Sequence, residues 1–168
     1  VANNSLVDVL IVTDSTTSQY VDNNSKKETR NSNLITACSQ LKVNNVFELN
    51  LPDMRLDSIP HIEINIKISE IMNKQQYDTI FVHHPNDINK DHQILFDSVM
   101  VACRPQPGST VTAVLTYYVV SSTEWGGYDK STIFTPNIFI DISQFISKKI
   151  ETFCIYKDEI REYPHPRS

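Results

Sequence analysis

Residues 82–93 read Val-His-His-Pro-Asn-Asp-Ile-Asn-Lys-Asp-His-Gln. The chain has five histidines, and three of them, His83, His84 and His92, fall within this stretch among carboxylates. Imidazoles and carboxylates bind divalent metals and move protons in hydrolysis. A neutral His92 imidazole would bind zinc at about 2.0–2.1 Å, with a carboxylate orienting or sharing the site. The competing reading is structural: Asn89 or Asp91 caps a helix, and His92 is a solvated residue of its first turn. Alternation at a strand end sends His83 and His84 to opposite sides, so both are not expected to serve one metal.

The elements that must position these residues follow from hydrophobic period. Leu6–Thr13 is a β-branched run that reads as a strand covered on both faces. Asp14–Asn24 is polar and turn-rich. Leu34, Ala37, Cys38 and Leu41 give Lys26–Leu41 helical spacing. Val46–Leu49 reads as a short strand, and Asp53–Pro60 as a loop. His61–Asn73 fits either period: Ile62, Ile64, Ile66 and Ile68 alternate, while Ile64, Ile68, Ile71 and Met72 share a helix face. Its length and the preceding Pro60 favour helix. Thr79–Val82 is expected as a buried strand, Asp91–Cys103 as a helix, and Val111–Val120 and Ile133–Ile140 as strands. Ser143–Glu162 is expected as one long helix with Phe145, Ile146, Ile150 and Phe153 inward.

Such alternation predicts an α/β, Rossmann-like three-layer fold, with a mostly parallel sheet and helices on both faces. Ligands of such folds bind beyond the carboxyl ends of the strands. This places the loops Asp14–Lys27 and His83–Lys90 at the working edge.

Bulk properties narrow the classes. The 168 residues make one domain with a core of ordinary size, 40% apolar and 21% charged. A net charge of -5 offers no footprint for nucleic acid. No apolar run reaches the roughly 20 residues of a membrane span, and Val1–Asn4 does not resemble a secretory leader. Cys38, Cys103 and Cys154 are far apart and read as buried thiols of a cytoplasmic protein. With glycines only at 108, 126 and 127, no glycine-rich phosphate loop and no Gly-x-Ser-x-Gly nucleophile motif can be written.

The run VHHPNDINKDHQ is followed in order by VACRPQPG, SSTEW, FTPNIFIDIS and YPHPRS. Together these blocks resemble the LmbE-like (PIG-L) zinc-dependent de-N-acetylase family, its bacterial branch above all, from Val7 to Ser168. The resemblance implies hydrolysis of an acetamido group on an N-acetylglucosamine-type sugar. It implies a Zn2+ ion held by a His and an Asp of an Ala-His-Pro-Asp-Asp-Glu stretch and by the His of a later Asp-His pair, here His92. Another Asp of that stretch would be the general base. No such stretch occurs in these residues. The resemblance therefore implies a single partial domain, 1–168, whose other ligands lie in a missing N-terminal segment. Leu6–Thr13 then matches the family's second strand.

It also assigns roles. Asp91 would orient the ligand or handle a proton. Asn89 stands where the family often has a His, and can donate a hydrogen bond but carry no proton. Arg30 matches a family Arg suited to sugar hydroxyls or a phosphate, whereas Asn33 replaces the Glu that follows it; the plainer reading of Arg30 is a solvated first-turn residue. Ser121–Trp125 would line the sugar site or form a structural turn around a buried Trp. Arg104-Pro105 reads as a helix stop. His165 and Arg167 would reach the site only if the tail folds back. One His cannot hold zinc tightly, so these 168 residues alone are expected to be inactive. An exposed strand edge would favour self-association. The alternative is a non-catalytic α/β module that binds a sugar or a protein.

Overall fold

The computed structural model describes residues 5–15 and 24–168. They form two compact units, one built from residues 5–15, 24–52 and 136–168 and the other from residues 53–135.

In the first unit the apolar run gives strand β1 (Asp8–Thr13), which pairs in parallel with β2 (Asn45–Leu51). The register runs from Asp8 opposite Asn45 to Thr13 opposite Leu51, with an irregularity between Ile11 and Thr13. Helix α1 (Asn24–Gln40) joins them and buries Ala37 and Cys38. Residues 16–23 of the loop expected at the working edge lie outside the described residues. The tail packs a short helix against α1; there the buried Thr152 hydroxyl stands 3.3 Å from Gln40 Oε1.

In the second unit helix α2 (His61–Met72) leads to strand β3 (Thr79–His83), then to helix α3 (Lys90–Ala102) and strand β4 (Ala113–Tyr117). Strands β3 and β4 are parallel, with Thr79 opposite Ala113 and His83 opposite Tyr117. Both pairs thus have the parallel, helix-connected build of an α/β protein. Burial resolves the isoleucine ambiguity in favour of the helix. Ile64, Ile68 and Ile71 face the core with Leu56, Val82 and Val99, while Ile62 and Ile66 are exposed.

Asn89 begins α3 as its cap: its side-chain oxygen accepts from the Asp91 N–H at 2.9 Å. Asn89→Ala should cost about 1 kcal/mol. The check is a lower urea midpoint, followed by the fluorescence of Trp125, the chain's single tryptophan.

Three expectations are corrected. Residues 133–140 form no strand, because no neighbouring strand pairs with them and Ile133, Phe139 and Ile140 are exposed. The long helix over 143–162 is broken into a 3-10 turn (Ser143–Phe145), helix α4 (Ile146–Phe153) and a second turn (Lys157–Glu159). Its apolar face meets no core: Phe145, Ile146, Ile150 and Phe153 are all exposed. Helix stability depends on that packing, and the following Cys-Ile-Tyr run propagates a helix poorly. Finally, Cys38 and Cys103 are buried, but Cys154 is exposed.

Candidate functional site

The carboxyl ends of β3 and β4 carry the cluster. Parallel register sets His83 beside Tyr117, and His83 Nε2 lies 3.1 Å from the Tyr117 hydroxyl. The other face of the His83 system is His92: the two imidazoles stack with centroids 3.9 Å apart and planes 19° from parallel. Burial, then the neighbouring His92, pushes the His83 pKa down to about 4 against the opposing pull of Asp87, so His83 is neutral at physiological pH. Burial, helped by the Asp87 charge, pushes the Tyr117 phenol up to about 12, keeping it a hydroxyl donor.

Asp87, 0% exposed, is the centre of the network. Its Oδ2 accepts from the Ser122 hydroxyl at 2.9 Å and the Thr123 hydroxyl at 2.7 Å. Its Oδ1 accepts from the Asn89 N–H at 2.9 Å. Burial alone would raise its pKa. The Asn89, Thr123 and Ser122 bonds and the nearby His92 outweigh it and hold the carboxyl below the usual range. His92 Nδ1 stands 3.1 Å from Oδ1, an ion-pair distance without the alignment of a hydrogen bond.

The loop after β4 is seated on the loop after β3. The Ile88 N–H points to Ser122 O at 3.4 Å, and a Cβ on Gly126 would stand 1.8 Å from Asn86 O. Trp125, expected to be buried if this turn were structural, is 66% exposed.

Asn89 and His92 both flank Asp87. Asp91 turns away from them: its oxygens accept from Met54 N–H at 2.7 Å and Leu56 N–H at 3.1 Å. Burial raises its pKa, the two backbone bonds lower it, and Asp53 and Asp57 add to the rise, leaving it above the ordinary value. His84 departs on another side, with Nε2 3.2 Å from Thr132 O and its ring edge-on to Phe134. Arg30 belongs to the other unit and lines a cleft at the carboxyl ends of β1 and β2 with Thr13, Asp14, Asn50 and Tyr156. Its guanidinium is 2.6 Å from Glu159, which also binds Arg167. Within the tail, Arg167 O accepts from the Arg161 N–H.

The sequence pointed to neither Asp87 nor Tyr117 as a site residue, and it offered His83 only as one of two histidines not expected to serve one metal together. The legible signal for Asp87 was its place two residues before a helix cap. Its partners 35 and 36 residues later are given only by the fold.

Hydrolytic zinc sites use three protein ligands and a water. Among the described residues no group of three His, Cys, Asp or Glu side chains gathers to hold a metal. The described residues alone therefore do not fit a three-ligand zinc centre.

The architecture defines a class first. The chain superposes on N,N'-diacetylchitobiose deacetylase from Pyrococcus horikoshii with a TM-score of 0.72 at 17% identity, covering 94% of this chain and 61% of that one. A conserved protein of Thermus thermophilus gives 0.66 at 16%, covering 92% and 80%. The 4-carboxy-2-hydroxymuconate hydratase of Pseudomonas putida gives 0.65 at 13%, covering 90% and 66%. At these identities the likeness is one of fold, and one of the three is a hydratase. The chain spans about three-fifths of the length of the Pyrococcus protein. No curated protein sequence matches significantly.

Sequence then fixes the family. Residues 1–103 match the model of PIG-L, GlcNAc-PI de-N-acetylase, and the chain belongs to that family. The match includes β1 through α3, hence the Asp91-His92 pair. Among the described residues no helix is long and apolar enough to cross a membrane.

Proposed function

We propose that this domain is part of a zinc-dependent hydrolase that removes the acetyl group from an N-acetylglucosamine-type amino sugar. The observation that carries the reading is His92: it lies in the matched family segment, and its ring is fixed between Asp87 and His83 at a strand's carboxyl end. His92 offers one metal ligand, and the others lie outside the described residues. A metal in such a site supplies Lewis acidity towards an amide carbonyl.

The chain's own groups do the following. Asp87 holds His92 in place. Neutral His83 walls one face of that ring. Asn89 spends its side-chain oxygen on the helix cap, leaving the amide nitrogen as a donor for substrate. Asp91 ties the start of α3 to the 54–56 backbone, and any proton transfer by it acts from that tethered position. Arg30 is the proposed contact for sugar hydroxyls, competing with Glu159 for its guanidinium. Three unpaired thiols agree with a reducing cytoplasm.

The test uses the full natural polypeptide that contains these residues, assayed for acetate release from N-acetylglucosamine and diacetylchitobiose. Release should stop with a chelator and fall at least about 100-fold in His92→Ala. The 168-residue chain alone should release none. Chelator-insensitive release would overturn the zinc dependence, and no release from the full polypeptide would favour the non-catalytic binding-module reading.

A further inference from the structure

We propose that the cleft at the carboxyl ends of β1 and β2 is a subsite for an uncharged, hydroxyl-bearing sugar unit, and that Glu159 is the residue that shuts phosphate-bearing sugars out of it. A guanidinium suits phosphate and sugar hydroxyls alike, so the neighbours of Arg30 decide which it takes. Glu159 Oε1 lies 2.6 Å from Arg30 Nη2, and its other oxygen, Oε2, accepts from Arg167 Nη1. With one oxygen on each guanidinium, a carboxylate that turned from Arg30 would also disturb its bond to Arg167. Arg167 is itself anchored: its N–H donates to His165 Nδ1 at 3.0 Å, and its carbonyl accepts from the Arg161 N–H at 3.3 Å. The Glu159 N–H donates to Tyr156 O at 2.9 Å, and Tyr156 lines the cleft. One turn of the tail therefore brings both a wall of the cleft and the partner of its guanidinium.

The charges favour a neutral guest. Asp14 and Glu48 bring further carboxylates to the lining, beside the amides of Asn31 and Asn50. An approaching phosphate would compete with Glu159 for the guanidinium and meet like charge on the lining. A sugar hydroxyl meets neither penalty. It donates to a carboxylate oxygen and accepts from the N–H groups that Glu159 leaves on Arg30. The strand end is irregular here as well. Ile11 lies opposite Glu48 but Thr13 opposite Leu51, so β2 carries one residue more than β1, and Asn50 takes φ of 51°. Such bulges re-aim side chains beside binding sites. That the guest belongs to an acetylated substrate rests on the function proposed above; the exclusion of negative charge does not.

Nitrogen-15 spectra of the arginine side chains in the full natural polypeptide, with a chelator present to prevent turnover, read this cleft through Arg30. Arg30→Lys assigns the signal. The probes are N-acetylglucosamine and N-acetylglucosamine 1-phosphate, which differ by the phosphate alone. The expected result is an Arg30 signal that shifts with the neutral sugar, and binding of the phosphate weaker by at least about tenfold, the scale of one like-charge contact near a protein surface. Glu159→Gln keeps the shape and removes the charge. It should strengthen phosphate binding about tenfold and change neutral-sugar binding less than about threefold. A merely structural loss would weaken both probes together. Should that variant not fold, Glu48→Gln, at an exposed strand position, gives the second reading: phosphate binding is strengthened by a smaller factor. Phosphate bound as tightly as the neutral sugar in the wild type, an unchanged ratio in the folded variant, or an Arg30 signal that neither probe moves overturns the proposal. Acetate release separates the two readings. The expected preference without release leaves the subsite standing and removes the deacetylase. Release with an unmoved Arg30 signal does the reverse.

Discussion

Asp87→Ala is expected to destabilise the unit of residues 53–135 by about 4 kcal/mol, the scale of breaking a buried charged network by removing one partner. The mechanism is desolvation without compensation. Ser122 and Thr123 lose their acceptor, the Asn89 N–H loses its own, and the His92 Nδ1 edge faces an empty space. Each unmet buried group costs about 1–3 kcal/mol. Denaturant unfolding followed by Trp125 fluorescence checks it, and a loss below about 1 kcal/mol would show that water enters and replaces the carboxylate.

The same residue fixes the sign of one pH response. Its pKa in the folded state lies below the ordinary value of 3.8. Its contribution is therefore fully present above that value and is lost as pH falls through the folded pKa. Asp91 has the opposite sign, since its folded pKa is raised. Its contribution is present below the unfolded value and is lost as pH rises through the folded one. Asp87→Asn should accordingly flatten the acid limb of the stability curve, and Asp91→Asn should not.

Gly126→Ala is the second large effect, expected at about 3 kcal/mol by overpacking. The added carbon would lie 1.8 Å from the backbone oxygen of Asn86, and neither partner has a rotamer that relieves it. Gly126 has φ of −93°, so space alone forbids the side chain, with no demand for left-handed backbone. Gly108 supplies the contrast. It has φ of +87° and nothing near its Cβ position, so Gly108→Ala should cost only about 1 kcal/mol of backbone strain. Parallel thermal melts of the two variants check the difference; equal losses would mean that the loop after β4 shifts freely over Asn86.

Much of this fold was legible because its elements have strong periods. The core-facing residues of α2 and α3 recur at helical spacing, and the β1 and β3 runs are too apolar for loops. The 133–140 segment misled because alternating β-branched residues state only a preference. A strand exists when a ladder partner is there, and none pairs with Ile138 or Ile140. The site divides the same way. His92 and the Asn89 cap are local, encoded within one helix start. The binding of Asp87 by Ser122 and Thr123 is a meeting of distant residues, set by how the two loops lie on each other. No spacing rule announces it, and a lone Asp in a turn reads as ordinary turn chemistry.

The His83–Tyr117 pairing also bears on how β3 finds its correct alignment. Ile80, Phe81 and Val82 would tolerate either face, as the exposure of Phe81 illustrates. A slip of one residue would reverse every side chain of the strand. It would strand the His83 ring away from both the phenol and its stacking partner. The apolar residues make the strand adhere, and this one imidazole penalises the slip that would turn it over.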